Sequence, residues 1–290
     1  MIVMAKNKSD QKRRIENVLS ALKHDKLAIA SLVFLVIIIA LALLAPILPL
    51  DPNTTDVRNM FQPPSPEHWF GTDSLGRDLF SRVWQAGRVS LAIGVVGAVV
   101  ASVVGCIYGG IASYFGGIVD DIMMRIVEVL LSIPYLIIVI LISVVTDSKS
   151  IGTMMLALTL TGWCGIARLV RGQMLQLKSQ EYVLAANALG VSPMKIIMRH
   201  MIPNTIGIII VAITFDIPGY IFSEAFLSYI GLGIQPPDTS WGALASAAQQ
   251  NFMFYPYQLF FPSLMIALTM LSFTLLGDGL RDALDPKLRK

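Results

Sequence analysis

An acidic side chain stands in the middle of an apolar run. Asp216 lies beside Pro218 and Gly219 within the stretch 204–230, and Glu224 follows two turns later. A lone carboxylate in hydrocarbon is costly, so Asp216 either lines a watery pathway or bonds to a neighbouring helix. A second charged group, Asp120, Asp121, Arg125 and Glu128, opens another apolar run. Asp121 with Arg125, and Arg125 with Glu128, have the three- and four-residue spacing of one helix face. Arg125 and Glu128 join Asp216 and Glu224 as candidates for an intramembrane pathway, although snorkelling and local pairing explain charges near a span end equally well. A third group, Asp73, Arg77 and Asp78 in FGTDSLGRD, has the makings of a metal or anion site. A loop closed by its own ion pairs is the preferred reading. The three histidines, His24, His68 and His200, are scattered, and Cys106 and Cys164 sit in different apolar runs as small hydrophobes. None of these has metal-ligand spacing. The chain contains no G-x-x-x-x-G-K-[ST], H-E-x-x-H or G-x-S-x-G, so no nucleotide loop, zinc-protease helix or nucleophile elbow is expected. The residues point to a non-catalytic protein.

The elements that hold these residues follow from composition. Of 290 residues, 55% are hydrophobic and 14% charged, and the mean hydropathy is +0.68. A soluble domain carries about 25% charged residues, so this is an integral membrane protein. The net charge of +3 does not suggest nucleic acid. Apolar runs predict six spans, at about 27–50, 87–113, 119–145, 151–170, 204–230 and 255–276. The first is too long for a signal-peptide core and reads as an uncleaved anchor. Ahead of it, Ile15, Val18, Leu19 and Leu22 have the spacing of a helix lying on the lipid surface, with a frayed tail as the alternative. Ala101, Gly105, Gly109 and Ser113 form a small-residue stripe suited to close helix contact. Pro134 is expected to kink the third span. Most of the 22 basic residues cluster at 6–26, 168–199 and 281–290, whereas the opposite loops hold only Arg58, Arg77, Arg82 and Lys149. The positive-inside rule therefore puts both termini in the cytoplasm. A working division places the anchor and first loop in 1–86 and a five-helix core in 87–290.

One polar segment, 179–203, breaks the apolar pattern on the cytoplasmic side. It reads as two short helices joined by a tight turn. Ser179 is expected to cap the first, with Glu181 in its first turn, where a carboxylate suits the helix dipole. Gly190 supplies a left-handed stop. Ser192 caps the second helix, Pro193 takes its first position, and Pro203 marks the entry to the next apolar span. Ala185, Ala186 and Leu189 lie along one side of the first helix, and Met194, Ile197 and Met201 along one side of the second. On pattern alone this is either a functional element or an ordinary hairpin between spans.

The stretch EYVLAANALGVSPMKIIMRHMIP resembles the EAA loop of ABC importer permeases: Ala185, Ala186, Gly190 and Pro203 fall on that pattern. Leu184 stands where the family has Glu, His200 where it has Ile and Ile202 where it has Leu. Glu181, one turn earlier, is a candidate substitute for the missing Glu. With FGTDSLGRD, the SYFGG turn, GLGIQPPDTSWG and the GDGLRDALDPKL tail, nearly the whole chain is similar to the C-type permease subunit of bacterial dipeptide/oligopeptide ABC importers. That resemblance implies an all-α, six-helix, type I permease in the bacterial inner membrane. It implies a related second permease, two cytoplasmic ATPase subunits carrying the ATP and Mg, and an extracytoplasmic peptide-binding protein. It also implies alternating access, with Glu181, Ala185, Ala186, Gly190, Ser192, Pro193 and Pro203 as ATPase-coupling residues. The same subfamily imports nickel or glutathione. A rival of another class, a proton-coupled secondary transporter using Asp216, predicts inverted repeats. An intramembrane enzyme is a further rival. Neither the repeats nor a nucleophile or metal pair is visible.

Overall fold

In hydrocarbon every backbone N–H and C=O must find its partner within the chain, and this chain meets the requirement with helices. The computed structural model describes residues 20, 22, 24–47, 52–236 and 238–284. Among them there is no strand, only an isolated bridge between Thr72 and Asp78. The surface helix expected from Ile15 to Leu22 and the basic tail beyond residue 284 lie largely outside the described residues.

The first helix, α1 (Lys26–Leu44), is started by Asp25, whose carboxylate accepts from the N–H groups of Leu27 and Ala28. It ends in a 3-10 turn, Ala45–Ile47. A loop over 52–78 leads to α2 (Leu79–Phe115), capped by Asp78 through the Ser81 N–H. Then come α3 (Gly117–Ser132), α4 (Tyr135–Thr146) and α5 (Ile151–Lys178). After α5 the hairpin consists of α6 (Glu181–Ala188), α7 (Pro193–Ile196) and a π turn (Ile197–Met201), running into α8 (Ile202–Tyr229). Finally α9 (Trp241–Gln249) and α10 (Tyr257–Leu284) close the fold.

Among the described residues five helical stretches are long and apolar enough to cross a membrane: Lys26–Ile47, Leu79–Phe115, Ile151–Lys178, Pro193–Tyr229 and Tyr257–Leu284. The pair α3 and α4 reaches that length only together and is bent by 84°, the geometry of a broken span or a re-entrant loop; counted as one span it makes six. The sequence predicts a kink at Pro134, and the structure shows a full break. Pro134 pushes Ile133 into an extended conformation (φ −85°, ψ 123°), which ends α3 before α4 begins. Three other expectations are corrected. The second hairpin helix is not a short separate piece, since it continues through the π turn into α8. The stretch 231–254, expected to be a polar loop between the fifth and sixth spans, is not all loop, because it contains α9. The α2 helix starts eight residues before Gly87, so a division at 86/87 falls inside it.

The α2 helix is the central post. Its small-residue stripe meets α5: a Cβ on Gly105 would lie 2.7 Å from Ile166 and from the Trp163 carbonyl, and Gly109 sits against the Ala167 carbonyl. Nearer its start, Gly94 and Gly97 face Ile221 and Tyr220 of α8. Helices approach this closely only where side chains are missing. Cys106 and Cys164 are buried in this packing as free thiols. The core divides into a large cluster toward the end carrying the 52–78 loop and a smaller one beneath the hairpin.

Candidate functional site

The hairpin is built from local rules. Gly190 ends α6 with φ +71°. Its N–H donates to the Asn187 carbonyl, and the N–H of Val191 donates to that of Ala186. This is a complete Schellman closure, with Val191 packed in the same cluster as Ala186. Pro193 occupies the first position of α7, where its missing N–H leaves nothing unsatisfied. Ser192 does sit at the cap, but by its backbone: its carbonyl accepts from Lys195 and Ile196, and its hydroxyl makes no capping bond. Ser179 is corrected. It ends α5, its hydroxyl donating to the Gln176 carbonyl, and Gln180 precedes α6. Pro203 stands at the entry to the next span. It lies in the first turn of α8, and the π turn ahead of it closes with the Ile202 N–H donating to the Ile197 carbonyl, five residues back.

The buried face of the hairpin is Val183, Ala186, Ile196, Ile197 and Met201. Ala185, Leu189 and Met194, expected along the same sides, are exposed. With Tyr182, Leu184 and Met198 they form an outward apolar face, on which Leu189 is 82% exposed. Glu181 is exposed on α6 as well. Partial burial pushes the Tyr182 phenol above its ordinary pKa. Two contacts to α2 were not foreseen: the Tyr114 hydroxyl donates to Asn187 Oδ1 of the hairpin at 2.6 Å, and Lys178 Nζ, at the end of α5 just before the hairpin, donates to the Ser113 carbonyl at 3.4 Å.

The intramembrane candidates fall in three places. Arg125 and Glu128 form an exposed ion pair at 2.8 Å on α3. They share an open cleft of about 670 Å³ with Asp121, Met124, Arg168 and Arg171. Spacing along α3 missed the stronger pair beside it: Arg171 of α5 donates twice to Asp120, at 2.5 and 2.6 Å. Asp120 and Val127 are the buried residues of α3, so this bridge is one of its few firm attachments. Asp216 is half-buried in mid-α8 and accepts no hydrogen bond among the described residues. One turn on, the Tyr220 hydroxyl is buried without a partner, in space that Gly162 leaves open.

Glu224 is fully buried. Ser90 of α2 donates to one carboxyl oxygen at 3.0 Å, and Ser228 to the other at 2.7 Å. The backbone N–H of Trp241 donates to Ser90 Oγ, and the Trp241 indole N–H to the Val83 carbonyl. Ser240 caps α9 and lies 3.5 Å from Ser228 Oγ. Glu224 therefore ties α2, α8 and α9 together and has no open surface in this chain. The loop residues Asp73, Arg77 and Asp78 close on neighbours. Asp73 pairs with Arg77 at 2.7 Å and Arg82 at 3.5 Å, and His68 Nδ1 lies 3.0 Å from Asp78. Among the described residues no group of three His, Cys, Asp or Glu could hold a metal ion.

Comparison with known proteins gives consistent matches. The model of a family described as binding-protein-dependent transport system inner membrane component matches residues 69–290. A second, the N-terminal TM domain of oligopeptide transport permease C, matches residues 15–64. The oligopeptide transport system permease protein OppC of Bacillus subtilis (strain 168) is 49% identical over 92% of this chain and 88% of its own. The dipeptide transport system permease protein DppC of the same organism is 48% identical over 93% and 84%. The glutathione transport system permease protein GsiD of Escherichia coli O6:K15:H31 is 40% identical over 92% and 88%. Among solved structures, the inward-facing MetNI methionine ABC transporter superposes with a TM-score of 0.56 at 20% identity, covering 71% of this chain and 95% of that one, a likeness of fold alone.

Proposed function

Because the chain belongs to the family of binding-protein-dependent transport system inner membrane components, we propose that it is the permease subunit of an ATP-driven importer of oligopeptides or dipeptides. Two relatives at 49% and 48% identity carry those substrates in their names. The glutathione permease among them supports a second reading, a small modified peptide moved by the same architecture. The chain is a non-catalytic membrane component. Hydrolysis belongs to two partner ATPases, which hold the ATP and Mg. A related second permease completes the pathway, and an extracytoplasmic binding protein delivers the peptide. Both termini and the hairpin face the cytoplasm.

The observation that carries this reading is the hairpin. It is short, closed by a Schellman motif, bolted to α2 through Tyr114, and presents an outward apolar face that none of the described residues covers. Such an element transmits force when seated in a groove of another protein. Seated on one ATPase, it carries the closing of the ATPase dimer directly into α8, with which α7 is continuous, and so drives alternating access. Glu181 shares the exposed side of α6 with Leu184 and offers the carboxylate that Leu184 lacks. Asp216, Arg125 and Glu128 are the polar groups available to a pathway shared with the second permease.

The test is to coexpress the chain with its neighbouring genes, purify it in mild detergent and identify what accompanies it. The expected result is a second permease and two ATPases, with ATP hydrolysis stimulated by a peptide-loaded binding protein. A chain that purifies alone and moves solute on a proton gradient without ATP would overturn the proposal and make Asp216 the residue to mutate.

A further inference from the structure

On the flank of the bundle, toward the end carrying the 52–78 loop, α1, α2, the start of α5 and residues 238–239 enclose a pocket of about 590 Å³. That is the size of a site for one small ligand. Its walls are oily: Ile39 and Leu43 of α1, Val95 of α2 and Ile151 at the head of α5. Arg88 and Asp238 also line it, and both are exposed. Neither enters an ion pair among the described residues.

Depth gives this arrangement its meaning. The α2 helix has 37 residues. At about 1.5 Å per residue it is roughly 55 Å long, far more than the ~30 Å of hydrocarbon. Arg88 lies roughly 14 Å along α2 from Leu79, which is the edge of the hydrocarbon rather than its middle. Val95 lies deeper, and Ile39 and Leu43 fall in the last two turns of α1, at the same level. An arginine that only snorkels needs neither an oily trough below it nor an unpaired carboxylate beside it. A guanidinium fork suits a phosphodiester. The carboxylate of Asp238 disfavours a bare anion and suits a headgroup that also carries a cation.

We propose that this groove binds one zwitterionic aminophospholipid, with its phosphodiester on Arg88, its ammonium at Asp238 and an acyl chain along Ile39, Leu43 and Val95. The lipid fills the seam between α1 and the core and fastens the anchor helix to α2. The proposal needs the chain to sit in a membrane and does not depend on what it transports.

The test uses the complex of this chain with its partner subunits. The complex is stripped of lipid in detergent, mixed with vesicles of phosphatidylethanolamine or phosphatidylglycerol, and analysed by native mass spectrometry. One phosphatidylethanolamine is retained per copy of this chain, about fivefold over phosphatidylglycerol, the scale of one charge contact at the membrane surface. Arg88→Gln loses the retained lipid. Asp238→Asn keeps a lipid but loses the preference between headgroups. Arg88→Lys retains it at intermediate occupancy, which keeps the test readable if Arg88→Gln misfolds. Equal retention of the two lipids by the unmodified complex would overturn the proposal, as would unchanged retention in Arg88→Gln. So would efficient cross-linking of the Leu43→Cys variant to the second permease, because a protein helix would then fill the groove. Peptide-stimulated hydrolysis lost with lipid still bound would refute the import reading and leave this one standing.

Discussion

The polar knot around Glu224 and the hairpin around Gly190 sit at opposite ends of α8 and are built on opposite plans. At the knot the polar groups are answered from within the chain: Ser90 and Ser228 donate to one buried carboxylate, and the α9 backbone donates in turn to Ser90. At the hairpin the backbone is closed just as fully, but the side chains of Leu184, Leu189, Met194 and Met198 face outward. The first end is complete as a single chain, and the second is complete only against something else. A side-chain change should therefore be read out as lost folding at one end and as lost assembly at the other.

The largest effect on folding is expected at the knot. Glu224→Leu leaves the hydroxyls of Ser90 and Ser228 without their acceptor. A buried unsatisfied group costs about 1–3 kcal/mol, so the loss is roughly 2–6 kcal/mol. Ser228 can turn back to its own helix, which favours the lower half of that range. Glu224→Gln keeps one acceptor oxygen and should lose about half as much. Thermal unfolding in detergent measures both, and an unmoved midpoint for Glu224→Leu would erase the contrast between the two ends.

Next is Gly190→Val. The added side chain meets nothing within 4 Å, so its cost is purely that of the backbone at φ +71°. That is about 1–2 kcal/mol for an ordinary residue and more for a β-branched one. The chain still folds and inserts, but the turn between α6 and α7 shifts. On the import reading, ATP hydrolysis continues while uptake falls away. Unchanged uptake would mean that the hairpin is not the lever.

Arg171→Gln tests the ground between the two ends. It strands Asp120, which is buried, and removes the bridge from α3 to α5. Losing one partner of a fully buried pair costs roughly 3–5 kcal/mol, but the Arg171 side chain is 33% exposed, so about 1–2 kcal/mol is expected. Amide exchange in α3 should rise selectively while α8 and α9 keep their protection. Uniform exchange across the chain would show that α3 is held by something other than Asp120.

What could be read from the sequence was what local rules decide. Apolar run length located the spans, the left-handed demand at Gly190 and the N1 position of Pro193 located the hairpin turn, and the small-residue stripe located the α5 contact. The misses have a common cause in long-range partners. Glu224 meets Ser90 across 134 residues and Asp120 meets Arg171 across 51, distances over which no local spacing carries information. The α9 helix was missed because it is only nine residues long and lies within a stretch rich in Gly, Pro and polar residues, although Trp241, Leu244, Ala245 and Ala248 do stand at helical spacing and are its buried face. Ser179 looked like a cap on residue type alone, but α5 continues one residue too far for it to serve. Leu189 was grouped with Ala186 on one side of α6, but Ala186 is buried and Leu189 is among the most exposed residues of the hairpin.

That last error leads to the smallest change in folding and the sharpest test of the comparison. Leu189→Asp alters a side chain that touches little, and surface substitutions of this kind stay within about 0.5 kcal/mol. The variant should unfold at the same temperature as the parent when the chain is purified alone. If the outward face is a seat for an ATPase, the same substitution places an unpaired charge at the centre of an apolar contact, where it must be desolvated without compensation. Co-purification of the ATPases should then fall steeply while the second permease stays bound. A variant that unfolds early would mean that Leu189 packs within its own chain. A variant that keeps its ATPases would move the contact to another part of the hairpin, with Glu181 and Leu184 the next positions to change.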